Sequence, residues 1–383
     1  MPDVFVVSDN IVSPLGLTTV ENFKQLKKNS TGIKEHEDAS MSARPFYAAL
    51  FDEKDDLIKT GKESIYTKFE QLLIASISNA LENCGIDASD KKTILIISST
   101  KGNINLLETE TYDPALQKRV ALHTSAKLVT EYFHFVNQPV IISNACISGL
   151  LAILAGRRLL QSGQYENAII AGADVISKFV LSGFESFQAI SAEACKPFDQ
   201  ARSGISLGEG AGTLILSSHK KYAGGIKVMG GSVNNDANHI SGPSRTGEEL
   251  AAVINKSLQE ANIPGSEIDF ISAHGTATLY NDEMEAKAIT LAGLQSVPVN
   301  SLKGYYGHTL GAAGLIESII SIHSLKENLI VPTKGFKDPG VTKPLNICSS
   351  LLHAPLQNCL KTASGFGGCN AAVVFGKSEN MSN

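Results

Sequence analysis

Short runs of β-branched and aliphatic residues alternate with longer stretches of helical period along the whole chain. The runs at 4–7, 93–98, 140–143, 168–171 and 212–217 predict strands. Between them, 66–83 and 149–161 repeat apolar positions at helical spacing. The run VIIS shows no polar alternation, the pattern of a strand covered on both faces. A second round follows the Gly-Gly pair at 224 and 225, with strands predicted at 226–229, 268–273, 297–300 and 371–375. Its helices are predicted at 247–261, 282–292 and 311–327. Strands alternating with helices argue for an α/β fold with mostly parallel strands. The order of parts is alike in the two rounds: VIISNACISGLLAILAGRRLLQSG and VPVNSLKGYYGHTLGAAGLIESIISIHSL each run from strand through a polar loop into an apolar helix. The reading is two similar βαβ-type halves, residues 1–223 and 224–383, whose loops at the carboxyl ends of strands share one site.

Composition narrows the class. With 43% hydrophobic and 19% charged residues, the chain is neither disordered nor fibrous. Thirty-three glycines and no tryptophan point to close packing of small and aliphatic side chains. A net charge of −5 argues against a globally basic nucleic-acid binder. The six cysteines include no CxxC pair, so neither a zinc ribbon nor a redox pair is suggested. The opening MPDVFVVSDN lacks the basic start and apolar run of a signal peptide, and no stretch is long enough to span a bilayer. A reducing cytoplasm is the expected compartment.

Four segments carry candidate chemistry. Cys146 follows a buried strand and opens an apolar helix in NACISGLLAILAG. A helix N-terminus favours thiolate, and a nucleophile on a strand-to-helix turn suits acyl transfer. The alternative is a small buried hydrophobe. His274 ends a predicted strand in AHGTATLYNDEMEA, where it reads as a site residue or a structural histidine. Asp282 and Glu285 in the same segment also fit a helix start. Lys303 and His308 share the Gly-punctuated loop SLKGYYGHTLGAAG, able to bind an anion or polarise a carbonyl, or simply to cap a helix. The fourth segment is GFGG at 365–368, a sign of close backbone approach or positive φ. No dinucleotide fingerprint follows the first strand.

In this order the motifs resemble the β-ketoacyl-[acyl carrier protein] synthases of the thiolase superfamily, of the elongating Cys-His-His type, over essentially the whole chain. The resemblance rests on NACISG, KPFDQARSGISLGEGAG, HGTATLYNDEMEA, KGYYGHTLGAAG and GFGGCNA. It implies a thiolase-like fold of five layers, αβαβα, and a dimer, either of identical chains or with a related subunit. It also implies decarboxylative condensation of an acyl chain on Cys146 with a malonyl carrier, in fatty acid or polyene and polyketide synthesis. His274 and His308 then take the places of the catalytic histidines, and Lys303 that of the supporting lysine. Asp282 and Glu285 match acidic residues behind the site, Thr276 and Thr278 positions along the pantetheine arm, and Phe366 the gating phenylalanine. The Phe366 and Cys146 N–H groups would form the oxyanion hole. No metal or redox cofactor is implied, since the substrates ride on the phosphopantetheine arm of the carrier. The partner is the acyl carrier protein, with Lys62, Lys68 and Arg202 as its expected basic docking patch. Two positions depart from the family pattern. Ser364 replaces a usual second phenylalanine, and SSTKGN puts Lys101 near the expected acyl pocket and dimer interface. Three rivals stand beside this reading: a non-catalytic chain-length partner subunit, a zinc hydrolase using His274, Asp282 and His308, and a degradative thiolase with Cys369 as its second cysteine.

Overall fold

The structure, a computed structural model of the 383-residue chain, describes residues 1–52, 65–82, 84–222, 225–237 and 242–378. Its main sheet has ten strands. The first five are β1 (Phe5–Val12), β2 (Thr93–Ser98), β3 (Val140–Ile142), β4 (Asn167–Asp174) and β5 (Gly210–Ser217). The second five are β6 (Ile226–Asn235), β7 (Phe270–Ser272), β8 (Val299–Asn300), β9 (Asn358–Gly365) and β10 (Cys369–Lys377). Across the first half the order is β3-β2-β4-β5-β1; across the second it is β8-β7-β9-β10-β6. The two halves thus repeat one topology and meet where Phe5 pairs with Lys227.

The expectation of mostly parallel strands does not hold. Within this sheet only the trios β3-β2-β4 and β8-β7-β9 are parallel. The pairs β4-β5, β5-β1, β1-β6, β6-β10 and β10-β9 are antiparallel. The physical reason lies in the connections. A parallel pair needs a crossover of a dozen or more residues, whereas β9 and β10 are joined by the short glycine turn at 366–368. Alternation of strands with helices predicts crossovers but is blind to strands that return without one.

Six helices complete the repeat: α1 (Lys68–Glu82), α2 (Leu122–Tyr132), α3 (Ser148–Gln161), α4 (Glu248–Ala261), α5 (Leu279–Leu291) and α6 (Ala313–Glu327). α6 is buried from Ala313 through Ile322, with hydrophobic residues on every side. A helix apolar all round has to be enclosed, and here two half-sheets enclose it. It pairs with α3 in the middle layer, where Leu150, Ile153, Leu315, Ile316 and Ile319 share one core with residues of both half-sheets. Their backbones nearly touch: a Cβ on Gly149 would sit 2.6 Å from the Leu315 nitrogen. A second core puts Phe69, Leu72 and Ile77 of α1 on Leu95, Ile97 and Ile169. A third puts Leu250, Ile254 and Met284 on Ile271, Leu360 and Val374. The result is five layers, helix–sheet–helix–sheet–helix. This architecture sets the site: Cys146 follows β3, while Lys303 and His308 follow β8, its counterpart in the other half.

Candidate active site

Cys146 stands on a strained turn between β3 and α3. Ala145 before it adopts φ +43°, a left-handed conformation costly for a residue with a Cβ. Ser148 holds that turn from both sides: its hydroxyl donates to the Ala145 carbonyl at 2.7 Å and accepts from the Asn144 N–H at 2.7 Å. The thiol is buried but opens onto a cavity of about 650 Å³. Phe366 comes from the turn between β9 and β10 and aims its backbone N–H at the Cys146 sulfur. Gly365 makes this approach possible, because a Cβ there would lie 3.0 Å from the Cys146 nitrogen.

The expected thiolate is not what the surroundings favour. Burial pushes the Cys146 thiol up to about 12, and nearby Cys369 adds to the rise. Lys303, the Phe366 N–H and Lys101 pull the other way without offsetting the lost hydration. Desolvation outweighs the partial charge of a helix N-terminus. The resting nucleophile is a thiol that needs a base beside it.

Two bases are in place. One ligand atom each of Cys146, His274 and His308 lie within 4.8 Å of one another. The imidazoles meet edge to face, with ring centroids 5.2 Å apart. Burial holds both well below the ordinary histidine value, and Lys303 reinforces the effect in each. Both rings are therefore neutral near pH 7. Lys303 Nζ lies 3.4 Å from His274 Nδ1 and donates to the His274 carbonyl at 3.0 Å. An ammonium at Nδ1 leaves the ring proton on Nε2. Neither ring nitrogen of His308 has a hydrogen-bond partner among the described residues. It is free to meet a substrate.

Asp282 and Glu285 work from behind, on α5. Glu285 accepts from the backbone N–H groups of His274 at 2.8 Å and Gly275 at 2.6 Å. Asp282 accepts from the Phe198 N–H at 2.7 Å and the Ala277 N–H at 3.2 Å. Burial raises the Asp282 carboxyl to about 7. The zinc set of His274, Asp282 and His308 is not assembled, because Asp282 is committed to these loops. Thr276 and Thr278 line the cavity, their hydroxyls 2.9 Å apart. Phe366 also lines it and packs on Phe184 and Phe187, at centroid distances of 5.5 and 5.3 Å. Ser364 is buried in the wall and donates to Asn370 at 2.8 Å.

The other expected residues lie elsewhere. Lys101 is half-buried and does not line this cavity, although its charge reaches Cys146. Two members of the expected docking patch have partners within the fold. Lys68 pairs with buried Glu209 at 2.6 Å, and its ammonium stands 5.5 Å from the Phe51 ring centre. Arg202 is buried, donating to the carbonyls of Asp199, Gly340 and Leu279, with Asp282 3.8 Å from its Nε. Lys62 lies outside the described residues. The Glu209 carboxylate pairs with Lys68 and backbone carbonyls hold Arg202, partnerships that no local window of sequence contains. Sequence reading also missed Glu317, Lys361, Phe184 and Phe187. Glu317 pairs with both Lys303 and Lys361. The available signal was a carboxylate in a largely apolar, buried helix segment, AGLIESIISIH, and a lysine in the strand NCLKTASG.

Sequence comparison agrees with this geometry. The 3-oxoacyl-[acyl-carrier-protein] synthase 2 of Vibrio harveyi is 28% identical over 408 aligned positions, covering 98% of each chain. A putative polyketide beta-ketoacyl synthase 1 of Streptomyces halstedii is 30% identical over 69% of this chain and 66% of its own. Among solved structures, the ishigamide ketosynthase/chain length factor superposes with a TM-score of 0.89 at 24% identity, over 98% of this chain and 99% of that one. A beta-ketoacyl synthase from Burkholderia phymatum STM815 gives 0.88 at 23% identity, over 99% and 100%. The sequence profile of the beta-ketoacyl synthase N-terminal domain matches residues 1–222, and that of the C-terminal domain matches 226–337. Both halves of the family are present in order around one cysteine and two histidines, and the chain belongs to the beta-ketoacyl synthases.

Proposed function

We propose that this chain catalyses decarboxylative Claisen condensation between an acyl group carried on Cys146 and a malonyl group on acyl carrier protein. The product is a 3-oxoacyl carrier thioester, in fatty acid or polyketide synthesis. The observation that carries the reading is the trio of Cys146, His274 and His308 within 4.8 Å in one buried cavity. His308, unpartnered and neutral, takes the thiol proton as Cys146 attacks the incoming acyl thioester, and returns it to the departing pantetheine thiol. The malonyl thioester then loses CO₂. Its enolate oxygen accepts hydrogen bonds from His274 Nε2–H and His308, both neutral donors. The enolate carbon attacks the acyl-cysteine, and the tetrahedral oxyanion points at the N–H groups of Cys146 and Phe366; its collapse breaks the C–S bond and expels Cys146 as thiolate, which takes up a proton from water. Each such donor is typically worth about 3 kcal/mol.

The substrates arrive on a phosphopantetheine arm, with Thr276 and Thr278 along its path and Phe366 as the gate. No metal enters the scheme: Lys303 and Lys361 place two ammonium groups behind the histidines, a poor setting for a dication. The acyl carrier protein is the proposed partner. The chain works as a dimer, with itself or with a related subunit, in the cytoplasm, where its cysteines stay thiols. No helix among the described residues is long and apolar enough to cross a membrane. A non-catalytic chain-length role is disfavoured by the strained turn that presents Cys146.

The test is mass spectrometry of Cys146 after incubation with a panel of acyl carriers, together with variants that split the reaction. Cys146→Ala should lose condensation and keep malonyl decarboxylation. His274→Ala and His308→Ala should lose CO₂ release. Near-normal condensation by the cysteine variant sinks the assignment.

A further inference from the structure

Glu317 is the centre of a buried charge cluster behind the reacting trio. It projects from α6, with one carboxylate oxygen on Lys303 and the other 2.7 Å from Lys361 Nζ. Lys361 is wholly buried on β9. Its ammonium donates to the carbonyls of Ser272 and Ala273, each at 3.1 Å, and of Thr362 at 2.7 Å. Lys303 donates to the carbonyl of His274 at 3.0 Å. The two ammonium groups therefore hold three consecutive carbonyls, 272, 273 and 274, at the strand end that delivers the histidine. A lone lysine on a strand packed on both faces is costly unless its charge is used or fully paired.

We propose that Lys361 is a positioning residue for His274: it shares Glu317 with Lys303, fixes the backbone of the histidine and surrounds its ring with positive charge. The inference rests on the reading of this site as one that stabilises an enolate with neutral imidazoles. Several charged or titratable groups face His274. They are Lys303 from the turn after β8, His308 from the following loop, Lys361 from β9, Glu317 from α6, Glu285 from α5 and Cys146 ahead of α3. Burial is the main force against the imidazolium, with Lys303, His308 and Lys361 adding to it. Without Lys361, Glu317 faces a single ammonium and the imidazolium forms more readily. An imidazolium at His274 would put an N–H on Nδ1, facing the Lys303 ammonium 3.4 Å away, and the ring would lose its placement against the enolate.

The experiment compares Lys361→Met, Lys361→Gln and Lys361→Arg with the wild type. Two readouts are used: the pH profile of malonyl-carrier decarboxylation, and the ¹⁵N titration of the His274 ring. Loss of one nearby buried charge should move the acid limb and the ring titration up by about one pH unit in the Met and Gln variants. The Arg variant keeps the charge and should keep the wild-type limb. Gln retains a donor for the carbonyls, so it carries the test if Met does not fold. A limb and ring titration that coincide with wild type in the uncharged variants overturn the proposal, whatever their thermal stability. A wild type that releases no CO₂ overturns the enolate reading instead, and the ring titration still decides the charge argument.

Discussion

Replacing His308 by Asn should make the protein more resistant to acid, by an amount the structure sets. His308 is 1% exposed and neither ring nitrogen is hydrogen-bonded among the described residues. Burial holds the ring well below 6.5, and Lys303 and Lys361 add to the effect. The unfolded chain takes up its proton near 6.5. Because the folded value is depressed, this group's contribution to stability is full above 6.5 and is lost as pH falls toward the folded value. Each pH unit between the unfolded and the folded value removes up to about 1 kcal/mol. His308→Asn removes the titration. Any packing cost of the substitution is the same at every pH and cancels when the difference from wild type is followed down the pH scale. The assay is urea unfolding of both proteins from neutral to acid pH, with proton uptake on unfolding measured in weak buffer. Below 6.5, wild type should bind more protons on unfolding than the variant, by up to about one. A stability gap that stays constant across this range would refute the reasoning, and with it the neutral imidazole that the mechanism requires.

Two further substitutions test the scaffold. Gly208→Ala would drive a Cβ into the Tyr306 carbonyl oxygen, where Gly208 donates to the His308 carbonyl at 3.1 Å. Thermal stability should fall by at least about 2 kcal/mol and decarboxylation with it; a variant matching wild type in both would show that the His308 loop tolerates displacement. Glu285→Gln turns an NH₂ toward one of the two backbone N–H groups that the carboxylate now accepts. Urea stability should drop by about 2–3 kcal/mol and CO₂ release at least about tenfold. Unchanged turnover would mean that the anchoring of His274 does not depend on this carboxylate.

Some features were written locally. The periodicity of GLLAILAGRRLLQ and AGLIESIISIHSL marks α3 and α6 within one or two residues, and TILIIS marks β2 end to end. Local pattern succeeds there because period and burial are properties of consecutive residues. Cys146, His274, Lys303 and His308 were visible as reactive types at strand ends followed by helices, and the fold draws all four to one cavity or its immediate wall. Strand direction was not visible. Whether β5 and β10 run with or against their neighbours depends on where the chain returns, which no window of sequence contains.

Partnership and solvation likewise belong to the tertiary structure. Lys68 and Arg202 look like any exposed basic residue until Glu209 pairs with the first and the carbonyls of Asp199 and Gly340, with Asp282 nearby, bury the second. Glu317 on α6 and Lys361 on β9 are 44 positions apart, yet share a charge cluster with Lys303 only because the middle helix packs under that strand. A helix-opening cysteine suggests thiolate, but the same residue is a thiol once two half-sheets and the glycine turn remove its water. The sequence by itself determined the elements, the repeat and the residues that react. The tertiary structure decided which strands run antiparallel, which charges are paired and which protons are held. Those depend on neighbours distant in the chain and on the loss of hydration that only their packing imposes.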